Sequence, residues 1–229
     1  MRLRLQYDKT GPARFTSHKD VVRIFQRCFA AAGIPMAYSE GFHPHMKMSF
    51  AAPLKTGWES DAEFIDIRVE GVPGPLAERC NEHLPLGLRI RHVSILPDTA
   101  PKLASDISAA TYDIEIHAED IDERLADASG GRVDALRALL ERRAAEVSSG
   151  DDALKVTDLS ATERDGCVGI TYTSTMLAGK VVSPLVLIED TLGDPSEFNV
   201  PPRVRRLAQY VERDGQLIPP VHKGAFQKT

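Results

Sequence analysis

The segment Tyr38-Ser-Glu-Gly-Phe-His-Pro-His-Met-Lys-Met-Ser-Phe50 gathers the residue types that do chemistry into one Gly/Pro-kinked loop. His43 and His45 carry imidazoles able to move a proton near neutral pH, and Lys47 carries a fixed positive charge. Tyr38 and Phe42 offer ring faces on which bases could stack, as in single-stranded RNA recognition. The same two rings could instead plug the space between a sheet and a helix. A metal reading of His43 and His45 needs a third ligand from afar, with His18 the best candidate. No cysteine or carboxylate set accompanies them, so no metal is expected.

A second group lies upstream. Ser17 and Asp20 have the spacing of a helix-capping box, and His18 and Arg14 stand beside that helix start, where free amide groups favour an anion. Arg23 and Arg27 follow four residues apart on the polar face. Residues 1–50 hold eight Lys/Arg against three Asp/Glu, a net +5, whereas the remaining 179 residues hold twenty against thirty, a net −10. Such asymmetry marks an anion-binding face, for which RNA, a nucleotide or an acidic partner would serve. The candidate ligand-binding set is Arg14, Ser17, His18, Arg23, Arg27, Tyr38, Gly41, Phe42, His43, His45 and Lys47.

Several chemistries find no equipment here. The chain has no Gly-rich phosphate loop, no Gly-x-Ser-x-Gly elbow, no dinucleotide fingerprint and no cysteine triplet for an iron–sulfur cluster, so no cofactor is expected. Cys28, Cys80 and Cys167 are far apart and odd in number, which argues for a reducing compartment. The amino-terminal residues alternate rather than forming an apolar run, and nothing reaches the length of a membrane span. A cytoplasmic, non-membrane protein is expected. A histidine acting alone as general acid/base, His18 or His45, keeps a metal-independent RNA endonuclease open as an alternative.

The elements that must position these residues repeat one order. Residues 2–8 alternate as a strand. Val21, Ile24, Phe25, Cys28, Phe29 and Ala32 then form a helical stripe ended by Gly33 and Pro35. Strands at 46–52 and 63–70, a helix at 75–84 and a strand at 88–96 complete β-α-β-β-α-β. After a connection near 97–108, the second half offers a strand at 112–117, a helix at 132–147 and two strands, 154–162 and 167–175, joined by Asp165-Gly166. A helix opening at Ser183-Pro184 and a final segment at 204–211 follow, the last reading as a strand although its spacing also suits a helix. The expected fold class is α+β, two tandem ferredoxin-like (βαββαβ) domains with antiparallel sheets. Their limits are 1–97 and 109–220, with a polar tail at 221–229.

The residues Phe15-Thr-Ser-His-Lys-Asp20, Arg23, Arg27, Ala32-Gly-Ile-Pro35, Ala37-Tyr-Ser-Glu-Gly-Phe-His-Pro-His45, Lys47-Met-Ser-Phe50, Pro53-Leu54, Gly57 and Ala62-Glu63 resemble the signature of the radical SAM-linked proteins. That bacterial family has no settled activity and is fused to, or encoded beside, a cobalamin-binding radical SAM enzyme. The resemblance is dense over 1–69 and thins after Tyr112. It implies such an enzyme as partner, RNA as substrate, and His45 as the functional histidine of the pair. The resulting expectation is a non-catalytic accessory or substrate-recognition subunit that binds RNA through a basic amino-terminal face. A structural adaptor docking an acidic partner surface is the other alternative.

Overall fold

The computed structural model describes residues 1–71, 74–126, 131–149, 154–175 and 181–221. The class is α+β, and the chain divides into two compact units, one of residues 1–107 together with the segment from Gln209 onward, the other Ser108–Ala208. No helix among the described residues is long and apolar enough to cross a membrane.

The first unit contains β1 (Arg2–Lys9), α1 (His18–Ala31), β2 (Met48–Phe50), β3 (Glu59–Arg68), α2 (Leu76–Asn81), β4 (Leu88–Leu96) and the short α3 (Leu103–Asp106). β1 lies between β4 and β3, antiparallel to both, and β2 pairs antiparallel with β3. Alternation sends Leu3, Leu5 and Tyr7 to one face. There they meet the α1 stripe of Val21, Phe25, Cys28 and Phe29, and Cys80 from α2, all buried. Ring edges interlock: Phe25 lies 4.8 Å from Tyr7 and 6.1 Å from Phe50 between centroids. Burying one such ring contributes about 1.5–3 kcal/mol. Ser17 caps α1, its hydroxyl accepting from the Asp20 amide at 3.2 Å and donating to the Asp20 carboxylate at 2.6 Å.

On the opposite face of β1, Arg4 is buried with 1 % of its surface exposed. Its guanidinium donates to both oxygens of Asp66 at 2.7 and 3.1 Å and to Asp106 on α3 at 2.6 Å. Arg213 also pairs with Asp106. Arg2 reaches Asp66 at 2.7 Å and the Ala100 and Pro101 carbonyls, each at 2.6 Å. Burial by itself lowers the Arg4 pKa and raises that of Asp106, but the mutual hydrogen bonds outweigh it in both. Arg4 is consequently held above its ordinary value and Asp106 below.

The second unit carries β5 (Ile107–His117), α4 (Ala118–Arg124), α5 (Arg132–Ser148), β6 (Val156–Arg164), β7 (Cys167–Thr175), α6 (Pro184–Leu192) and the first part of β8 (Arg203–Arg213). Its strand order is β8-β5-β7-β6. β6 and β7 form the hairpin turned by Asp165-Gly166. Tyr112 and Tyr172 stand opposite each other across β5 and β7, rings 5.7 Å apart, and the Tyr172 hydroxyl donates to the Val182 carbonyl at 2.8 Å.

Three expectations change, and one is borne out. The 97–108 stretch is more than a connection: Arg2 and Arg4 draw residues 100–106 back onto the first unit. The second unit stops short of 220, because Gln209 donates to the Ala62 carbonyl at 2.6 Å and Arg213 pairs with Asp106. The final segment is the expected strand, β8 running over Arg203–Arg213, and β9 (Gln216–Ile218) follows it. β2 covers only three residues while β3 begins at Glu59, since pairing rather than apolar content sets strand length. Residues 222–229 of the expected tail lie outside the described residues.

Removing Arg4 leaves two buried carboxylates without their main partner. The Arg4→Ala variant should lose about 3–5 kcal/mol in urea unfolding, against about 1 kcal/mol for Ser17→Ala. The depressed Asp106 contributes stability that is present above its unfolded pKa, about 4, and is lost as pH falls through the lower folded value. Wild-type unfolding midpoints should therefore fall on acidification below about pH 4, and the fall should be shallower in Arg4→Ala.

Candidate functional site

The hairpin that follows α1 is built from its base outward. Gly33, at φ +60, ends the helix, and Arg79 donates to the Ala32 and Gly33 carbonyls. Ala37 then joins the sheet by donating to the Arg68 carbonyl at 2.9 Å, while Lys47 donates to the Ala37 carbonyl at 2.8 Å. Tyr38 and Met46 pair as an isolated bridge. Ser39 closes the loop twice, its amide donating to the His45 carbonyl at 2.8 Å and its hydroxyl accepting from the His45 amide at 3.0 Å. Gly41 turns the tip at φ +119, a conformation that favours glycine.

This frame holds the tip in solvent. Phe42 is 102 % exposed and Tyr38 48 %, and His43, His45 and Lys47 are exposed beside them. The plug reading of Phe42 is therefore excluded, and its two ring faces are open. Exposed single hydrophobes are common, but a phenylalanine standing clear of the body at the tip of a braced hairpin that carries Glu40, His43, His45 and Lys47 is a presented group.

The helix-start residues form a separate cluster. The His18 ring meets Phe50 edge-on, 5.3 Å between centroids at 87°. It lines a cavity of about 10 Å³ with Tyr7, Lys9 and Glu63, space for no more than one water. Beneath it the Lys9 ammonium donates to the Thr16 carbonyl at 2.9 Å, and burial lowers its pKa while Glu63 opposes the shift. Lys9 and Glu63 are buried and support the helix start, whereas His18 itself is exposed. The Arg14 guanidinium stands 3.6 Å from Glu59 and 4.7 Å over the Phe15 ring. Ser17 is engaged in its cap, and Asp20 already supplies negative charge at the helix start.

Arg23 is exposed on α1 and pairs loosely with Asp20 at 3.4 Å, whereas exposed Arg27 makes no ion pair among the described residues. No hydrogen bond, ion pair or ring contact joins the hairpin tip to His18 among those residues. Nor do three His, Cys, Asp or Glu side chains there come together as a metal-binding group. Among the described residues no side chain fixes the His18 or His45 ring by a hydrogen bond.

Two residues outside the sequence-derived set share a cleft with Lys47. Arg68 and Lys102, with Arg2, Ser49 and Asp98, line an open cavity of about 550 Å³ in the first unit. Lys102 sits in a Pro/Ala/Thr-rich stretch that reads as a connection, so only its return to the sheet reveals it.

Comparison with known proteins places the chain. No curated protein matches it. Among solved structures it is similar to an unknown protein from Galdieria sulphuraria, at 12% identity and TM-score 0.24, over 90% of this chain and 97% of that one. It is also similar to a putative glycine cleavage system transcriptional repressor, at 11% identity and TM-score 0.22, over 89% and 95%. Neither likeness bears on function. A family model described as "Uncharacterized protein conserved in bacteria (DUF2344)" matches residues 2–159, a span that includes the hairpin, the helix-start cluster and the cleft. The chain belongs to this bacterial family of uncharacterized proteins.

Proposed function

We propose that this protein is a non-catalytic recognition subunit that binds single-stranded RNA through its amino-terminal hairpin and serves a cobalamin-binding radical SAM enzyme. The observation that carries the RNA reading is Phe42, wholly exposed at the tip of a braced loop in which Tyr38, Glu40, His43, His45 and Lys47 are exposed as well. A base stacked on such a ring covers apolar surface, and Lys47, Arg23 and Arg27 supply positive charge for the backbone. Of the eight cations of residues 1–50, Arg2, Arg4 and Lys9 are engaged in buried or half-buried contacts, and Arg14, Lys19, Arg23, Arg27 and Lys47 remain to support the same reading.

The enzyme partner rests on the resemblance of residues 15–63 to the radical SAM-linked signature. The strand orders β4-β1-β3 with β2 on β3, and β8-β5-β7-β6, support reading the units as tandem ferredoxin-like halves, an architecture that presents a sheet and its loops to RNA. Cys28, Cys80 and Cys167 are free and buried, which suits the reducing cytoplasm. The adaptor alternative draws on the same exposed ring, which could dock on a protein as readily as on a base.

Fluorescence anisotropy with a labelled 12-nucleotide RNA separates the two. The wild-type protein should bind, and Phe42→Ala should weaken binding by about 1–3 kcal/mol, on the order of 5- to 150-fold, with an unchanged thermal melt. Absence of RNA binding together with Phe42-dependent capture of the purified radical SAM partner would establish the adaptor instead.

A further inference from the structure

Lys47 and Arg68 face each other across the β2–β3 edge. The Arg68 amide donates to the Lys47 carbonyl at 2.9 Å, and the next residues, Met48 and Ile67, are register partners. Like charges placed opposite one another destabilise a sheet. Relief is slight: Arg68 meets Asp98 at 3.3 Å with both side chains about half or more exposed, and Lys47 meets no carboxylate among the described residues. Lys102 brings a third cation to the same cleft, also without an ion pair there. The remaining lining carboxylate, Asp66, is already neutralised by Arg2 and Arg4.

The cleft is also preorganised. Arg2 fixes residues 100–101 through two carbonyls, and Leu103 is buried at 1 % exposure, so the strap that carries Lys102 is held in place without a ligand. Its volume, about 550 Å³, lies within the range of nucleotide-sized sites. Lys47 stands one residue beyond the bridge that closes the hairpin, so the cleft begins where the aromatic loop ends.

We infer that this cleft is a phosphate seat for the strand whose bases stack on the hairpin, with Lys47, Arg68 and Lys102 as its cations; the inference rests on the RNA reading above. A polyanion would offset the repulsion among three cations that line one cleft, of which only Arg68 meets a carboxylate, Asp98, among the described residues. Two phosphates neutralised by Lys47 and Lys102 should add about 1.4 to the salt slope of binding, at about 0.7 per phosphate for a single strand.

The test is an anisotropy titration of the same 12-nucleotide RNA between 50 and 200 mM salt. It compares wild type, Lys47→Ala/Lys102→Ala, and Lys155→Ala as a charge control in the second unit. The double variant should show a slope smaller by about 1.4 and affinity lower by about 25-fold at 0.1 M salt, with a thermal midpoint equal to or above wild type. The control should match wild type. Wild-type binding with a double variant indistinguishable from the control overturns the phosphate seat and leaves the recognition reading intact. No wild-type binding overturns both.

Discussion

The interaction on which the first unit depends is the buried ion network of Arg4 with Asp66 and Asp106. Arg4 lies at the centre of β1, Asp66 on the neighbouring strand, and Asp106 on a four-residue helix that would have no reason to stay folded alone. A planar guanidinium satisfies both oxygens of Asp66 and still reaches α3, a task for which a lysine ammonium has the wrong shape. Because all three groups are out of water, each is stable only while the others are present. The network therefore acts as a lock, fixing where the chain returns after β4 and, with Arg2, where the strap carrying Lys102 lies.

From that lock the two faces of β1 divide their roles. One face supports the apolar core under α1, and through Phe25 and Phe50 it fixes the helix start and the short strand β2. The other holds the ion network and the floor of the cleft. The hairpin leaves the sheet at the junction, held by Ala37, Ser39 and Lys47 through main-chain bonds, so its tip needs no contacts of its own. A rigid frame with a free aromatic tip would let a ligand of the proposed kind bind without first ordering the loop, which would lower the entropic cost of association.

Much of this frame was legible in the sequence because its determinants are local. The Ser17 cap, the apolar stripe of α1 and the Asp165-Gly166 turn depend on neighbours within a few residues. The lock depends on pairs 62 and 102 residues apart, so alternation placed Arg4 on a polar face but could not show that the face is covered. The same distance hid the cleft. α4 was missed because its seven residues carry little periodicity; it is held by Asp120, whose carboxylate accepts from the Asn199 amide at 2.7 Å and the Val200 amide at 3.2 Å. In the site, the sequence put the hairpin residues in one group with His18 and Ser17, whereas among the described residues no hydrogen bond, ion pair or ring contact joins the hairpin tip to either.

The central claim is that the hairpin is the surface a strand meets. Ultraviolet crosslinking of the protein to single-stranded RNA, followed by peptide mass spectrometry, tests it without any substitution, because aromatic residues stacked on bases crosslink readily at zero length. The account predicts adducts concentrated on residues 38–47, with Phe42 or Tyr38 as the modified residue. Adducts confined to the second unit, or none on the hairpin at RNA concentrations that saturate binding, would contradict it.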